Sequence, residues 1–266
     1  MRRSASGLKE TLAVIVGEEA SVGCGIHVEG KLAWCEGFSW RTRVFRDRIE
    51  AGAVLAEALA EARVEGDIVY AIAAGGVPVG YAVAERMELN LDTIVVKKIT
   101  FPWTTEAGFG AVALEGIHYY NKTIALASGL EEEWVRGRIR EIADYVVQRT
   151  LRLRGSTEYS VEGKRVIVVD DGIAMGYTML VALKYLKHKG AARLIAAAPT
   201  AHVEGARLAA SIADMVVVAN MRKGPYFAVA DAYREWRDIS DEEALEYLRR
   251  RSPALQAFNT PSPNES

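Results

Sequence analysis

The chain alternates between two hydrophobic rhythms. Short runs of β-branched and small apolar residues are each followed by a stretch in which apolar positions recur every three or four residues. These are the marks of buried strands and amphipathic helices. Asp47 reads as the cap of a helix reaching about Val64, with Val54, Leu55, Ala58, Leu59 and Ala62 on its apolar stripe. Residues 68–73 read as a buried strand ending in Ala74, Gly75 and Gly76, and 78–88 as a helix with Val79, Val83 and Met87 on one face. Residues 91–99 read as the next strand. The pattern then lapses over 100–108 into polar residues and breakers around Phe101 and Trp103. Residues 110–128 suggest two strands joined near Tyr120, Asn121 and Lys122. A long helix over 131–154 follows, acidic at its start and rich in arginine toward its end, which suits the helix dipole.

The second half repeats the alternation. Residues 166–169 form a strand, with a helix through Leu180, Leu183 and Leu186. Further strands are expected at 193–198 and 215–219, with a helix over 204–213 between them. Ser240 with Glu243 forms a capping box for a last helix to about Arg250. Residues 11–40 read as a small antiparallel β unit, and Pro253, Pro261 and Pro263 mark a polar tail. Strand–helix–strand alternation implies right-handed parallel crossovers. The expected fold is therefore α/β: an open parallel sheet of about five strands with helices on both faces, plus small antiparallel β additions. Its expected parts are a β extension over 1–42, one domain over 43–250 and a tail over 251–266.

Composition narrows the function classes. The chain has 266 residues, half of them hydrophobic, with 33 basic against 35 acidic residues and a net charge of −2. That balance gives no support to nucleic-acid or anionic-membrane binding. The basic start Met1, Arg2, Arg3 suits a signal peptide, but the apolar run over 12–16 is too short and is closed by Glu18 and Glu19. No stretch is long enough to span a bilayer, so a cytoplasmic protein is expected. The two cysteines, Cys24 and Cys35, read as buried or free thiols. A disulfide is the alternative, and Cys24, His27 and Cys35 make a zinc set that lacks a fourth ligand. The four histidines show no partner pattern for nucleophilic catalysis.

The chemistry concentrates in residues 166–178. A buried strand ends in adjacent carboxylates, Asp170 and Asp171. The small loop Gly172, Ile173, Ala174, Met175, Gly176 follows, then Tyr177 and Thr178 at the start of a helix. Carboxylates at a strand's carboxyl end accept from sugar hydroxyls. Glycines let main-chain N–H groups reach a phosphate at the positive end of the next helix, and Thr178 adds a hydroxyl. The segment reads as a site for a phosphorylated sugar. A plain Asp-Gly turn is the competing reading, disfavoured by the strand before it and the helix after it.

These thirteen residues resemble the phosphoribosyl-diphosphate signature of type I phosphoribosyltransferases. Further blocks are similar to a less characterised bacterial and archaeal branch of that family. They are Phe45, Asp47, Arg48, Glu50 and Gly52; Gly75, Gly76, Val77 and Pro78; Lys98 and Ile99, with Glu106, Gly110 and Ala111; and Asp231 with Tyr233. The likeness spans about residues 43–248. It implies transfer of ribose 5-phosphate from phosphoribosyl diphosphate to a nucleobase-like acceptor, with Mg²⁺ as cofactor. Asp170 and Asp171 would serve ribose, catalysis and metal. Residues 172–178 would hold the 5′-phosphate, and Ala74, Gly75, Gly76 and Lys98 the diphosphate end, where a non-proline cis peptide is often found.

Several assignments stay open. Lys97 reads as a solvated edge charge beside Lys98. Phe101 and Trp103 read equally as part of a lid over the diphosphate or as packing beneath a loop. Glu106 and Lys122 are weaker candidates. Tyr177 is expected to face solvent or the hood above the site, and Tyr226 or Phe227 to stack on a base or pack in the core. The chain departs from the family pattern at Met175, where a threonine is usual, and at Ala74, where that branch usually has arginine. Those departures support an alternative: a regulatory protein that binds the sugar phosphate without transferring it. Assembly is left open, with a homodimer as the common default.

Overall fold

The computed structural model describes residues 24–105 and 107–252. The run over 12–16, Glu106 and the proline-bearing tail lie outside them. Among the described residues the main sheet has seven strands. They are β1 (Ile26–Glu29), β2 (Leu32–Cys35), β3 (Ile68–Ile72), β4 (Asn90–Ile94), β8 (Arg165–Val169), β9 (Arg193–His202) and β10 (Met215–Arg222). Their order across the sheet is β1-β2-β10-β9-β8-β3-β4, and every pairing is parallel except β1 with β2. The amino-terminal hairpin therefore extends the main sheet through β2, which lies parallel to β10.

Helices α1 (Arg48–Glu61) and α2 (Gly76–Arg86) pack on one face, while α5 (Tyr177–His188) and α6 (Val203–Ala210) cover the other. Burial on both faces explains the unbroken Val-rich runs, such as 166–169, with every residue fully buried. Asp47 caps α1 by accepting from Glu50 N at 2.9 Å, as the sequence suggests. α1 and α2 meet at Gly52, where a Cβ would lie 2.6 Å from Val79 O and 2.8 Å from Ala82 Cβ.

Three elements differ from the sequence reading. Residues 91–99 do not form one strand: β4 ends at Ile94, the chain turns through buried Val95 and Val96, and β5 (Lys97–Thr100) enters a second sheet. Periodicity cannot mark that break, because both halves are apolar enough to be buried. The second sheet is antiparallel, β5-β6-β7, with β6 (Gly108–Val112) and β7 (His118–Tyr120). The turn between β6 and β7 falls at Leu114–Gly116, not near Tyr120, and 122–127 is helical: α3 (Lys122–Ala127) begins where Asn121 accepts from Ile124 N at 3.0 Å. Finally, β9 outruns its expected end, because its carboxyl half pairs with β10 and bridges Ile173 of the loop after β8.

Two ionic links fasten the periphery. Helix α4 (Glu132–Arg154) places Arg154 on Asp92 of β4 through two bonds of 2.8 and 2.7 Å, with the guanidinium over the Tyr159 ring. Arg149 and Arg152 of α4 grip Asp241 at the start of α7 (Asp241–Arg251), and Ser240 caps that helix as expected. The cysteines are not free thiols. Cys24 and Cys35 form a disulfide across the first hairpin, with Cα atoms 5.0 Å apart. With both sulfurs so joined, the zinc reading lapses.

Candidate functional site

β3 and β8 lie side by side with Ala71 opposite Val169, so their carboxyl ends leave the sheet together. The next crossover from β3 runs one way across the sheet and those from β8 run the other. Such a switch point opens a crevice above the strands. Here it is a cleft of about 520 Å³, lined by Gly75, Lys98, Asp170, Asp171 and every residue from Gly172 to Met179. Two parts of the chain 95 positions apart thus form one site.

The acids stand at its floor. Asp170 Oδ1 accepts from Asp171 N at 2.9 Å. Asp171 Oδ2 accepts from Arg48 Nε at 2.9 Å, with Arg48 Nη2 also 2.9 Å away. Among the described residues each carboxylate keeps one oxygen that accepts no protein hydrogen bond. Burial and the charge of Asp171 push the Asp170 carboxyl well above its usual range, against the pull of Lys98 and Arg48. Burial also raises Asp171, opposed by Arg48 and Lys98.

The loop beyond the acids is held by backbone. Ile173 N donates to Thr200 O, and His202 N to Ile173 O. Gly176 caps α5 at φ +81°, a conformation that costs a side-chain-bearing residue, and a Cβ there would lie 2.5 Å from Gly205 O. The α5 amino terminus thus points its N–H groups at the cleft without a side-chain cap, an arrangement that suits an anion. Thr178 is half-buried within it, and Met175 is 56% exposed. Tyr177 does not face solvent: it is buried with its ring 5.6 Å from Tyr119 of β7, because α5 packs under the second sheet.

At the other corner, the Ala73–Ala74 peptide is cis. Gly75 lines the cleft, and a Cβ on it would run into the Asp171 carboxylate. Gly76 lies just behind, where a Cβ would come within 2.9 Å of Val169 O and 3.0 Å of Asp170 Cα. Ala74 is half-buried and outside the lining. Lys98 and Lys97 both reach the cleft wall. Lys98 acts on both acids, whereas Lys97 Nζ lies 5.3 Å from the Tyr145 ring of α4. Phe101 stacks on Trp103 and abuts Phe109, while Trp103 stays 65% exposed, so this turn mixes packing with an open aromatic tip. Lys122 is exposed at the start of α3 and does not reach the cleft.

The upper wall comes from residues the sequence did not single out, Val229 and Trp236. Tyr226 and Phe227 do not line the cleft. Tyr226 is almost fully exposed, and Phe227 lies beneath Arg222 and beside His202. A parallel bridge between Phe45 and Tyr233 carries the wall into place. Arg48 stood in the sequence only as part of the family likeness, with no role in the site. It does leave a trace: it is in register with Ala51, Gly52 and Leu55 on the buried stripe of α1, where a charge must have a partner. Trp236 leaves none, since residues 223–240 show no period.

Comparison with known proteins agrees with this geometry. Residues 47–226 match the family model for the phosphoribosyl transferase domain. Two curated Mycobacterium tuberculosis proteins, from strains CDC 1551 and H37Rv and each named "putative phosphoribosyl transferase", are 31% identical over 209 residues, 78% of this chain and 47% of theirs. The chain therefore spans about half the length of these curated relatives. The crystal structure of TT1426 from Thermus thermophilus is 30% identical, with a TM-score of 0.64 across 78% of this chain and 99% of that one. The family match takes in both the Gly75–Gly76 corner and the whole loop after β8, and the chain belongs to the phosphoribosyl transferase family.

Proposed function

We propose that this protein transfers ribose 5-phosphate from phosphoribosyl diphosphate to a nitrogenous base, releasing diphosphate. The observation that carries the reading is the meeting of the twin acids, the capless α5 amino terminus and the Gly75 corner around one cleft. The unclaimed carboxylate oxygens of Asp170 and Asp171 accept the pentose hydroxyls. Main-chain N–H groups over 172–178 take the 5′-phosphate. Gly75 and Lys98 receive the diphosphate, which leaves the anomeric carbon through an oxocarbenium-like transition state. This chemistry needs placement and fixed charge more than a nucleophile. Trp236 and Val229 form the wall against which an incoming base lies, and the hairpin of β5 and β6 shields the reacting bond from water.

The donor set suits Mg²⁺. Among the described residues no three His, Cys, Asp or Glu side chains form a metal cage. Magnesium takes one or two carboxylates and completes its shell with water and phosphate oxygens. Asp170 and Asp171 would hold it, and when bound it would neutralise the departing diphosphate.

The test is diphosphate release from phosphoribosyl diphosphate and Mg²⁺ across a panel of purine, pyrimidine and nicotinate-type acceptors. No release with any acceptor would count heavily against the transferase. A second reading, ligand binding without transfer, draws on the exposed Met175 in a phosphate loop where a hydroxyl is usual. Calorimetry separates the two, since tight binding without turnover supports the second. Met175→Thr and Ala74→Arg should then raise affinity or rate, and no gain in either would refute the argument from these departures.

A further inference from the structure

Arg48 has no assigned role in the reaction and does not line the cleft, yet its guanidinium lies against Asp171, the 236–237 segment and the Gly75 corner. Its side chain is 7% exposed. Nε and Nη2 both reach the same oxygen of Asp171, Oδ2, while Nη1 donates to Arg237 O at 2.8 Å. Its Cζ lies over the Trp236 ring, 3.9 Å from the ring centre. A Cβ on Gly75 would sit 3.5 Å from Nη2. Asp171 is also held through its own main chain, its carbonyl accepting from the buried Tyr233 hydroxyl at 2.6 Å. Asp170 has no such clamp; among the described residues its carboxylate accepts only from the Asp171 N–H.

We infer that Arg48 is a positioning residue that divides the labour of the twin acids: by engaging Oδ2 it turns Oδ1 of Asp171 toward the pentose as a fixed anchor, and it leaves Asp170 free to meet the reacting end of the sugar. The inference rests on the transferase reading of the cleft. A planar guanidinium suits the task because it can grip a carboxylate and stack on an indole at once, which an ammonium cannot. The Trp236 ring in turn backs the guanidinium beside Asp171. A purely structural Arg48 would instead tie α1 to the 237 segment and leave Asp171 indifferent to its loss.

A double-mutant cycle on Arg48 and Asp171 tests this, with Arg48→Met, Arg48→Lys, Asp171→Asn and both doubles measured for steady-state diphosphate release and thermal unfolding. The expected result is a roughly tenfold rise in KM for phosphoribosyl diphosphate in Arg48→Met, an unchanged KM for the acceptor, and partial recovery in Arg48→Lys. Each double should be no worse than the poorer single, because coupled residues are not additive. Should Arg48→Met not fold, Arg48→Lys with Asp171→Asn completes the cycle. Additive losses, equal rises in both KM values, or a lowered Tm with kinetics intact would each overturn the inference while the transferase stands. A wild-type protein that neither binds nor consumes phosphoribosyl diphosphate would overturn the transferase reading first, and this inference with it.

Discussion

Asp170 and Lys98 carry opposite charges into one cleft, and their substitutions should separate function from stability. Asp170 is desolvated beside a like charge, a cost to folding that an active site tolerates. Asp170→Asn should lower kcat by about 100-fold while leaving Tm unchanged or higher, as read by diphosphate release and calorimetric unfolding. A large fall in Tm would show the acid to be structural. Lys98 offsets both carboxylates and stands where the diphosphate would leave. Lys98→Ala should reduce kcat/KM about 10-fold or more, and added salt should weaken phosphoribosyl diphosphate binding less in the variant than in the wild type. Trp236→Ala should raise the acceptor KM while sparing that of phosphoribosyl diphosphate, the reverse of the pattern expected at Arg48.

Among the elements, close contacts and buried charges decide what can change. Gly52 lets α1 approach α2 to the point where any Cβ would strike Val79 O. Gly52→Val should cost about 1–3 kcal/mol in urea unfolding, by overpacking a contact whose near side is backbone and cannot yield. The α4–α7 joint behaves differently. Burial pushes the Asp241 carboxyl up, but hydrogen bonds and charge from Arg149 and Arg152 outweigh it and hold the group below its ordinary range. A carboxyl lowered by folding adds stability above its unfolded pKa and loses it as pH falls through the folded one. Asp241→Asn should therefore cost about 1–3 kcal/mol at pH 7. The gap from wild type should close as the solution is acidified below the ordinary aspartate range. A gap that persists unchanged in acid would mean the contact is held by packing and not by charge.

For the molecule as a whole, the disulfide bears on stability and the switch point on function. Cys24 and Cys35 close a loop with a sequence separation of 11 on the outer pair of strands, away from the cleft. Replacing both with Ser should lower stability by about 3 kcal/mol and leave diphosphate release intact. A loss of activity would mean that the hairpin supports the cleft through β10. The main helices, the parallel alternation and the loop over 170–178 were legible because each is written in contiguous residues. Periodicity, capping side chains and the Asp-Asp-Gly run are all local. The break between β4 and β5, the helix at 122–127 and the burial of Tyr177 were not, because they depend on which of two sheets an apolar run joins. The amino acids by themselves determined an α/β chain with a pair of acids and a glycine-bearing loop at a strand's end. Only the tertiary structure decided that Arg48, from α1, meets Asp171 and that Trp236, from an aperiodic segment, walls the cleft. Their partners lie far away along the chain, and a buried charge or a cleft wall is specified by what folding brings against it.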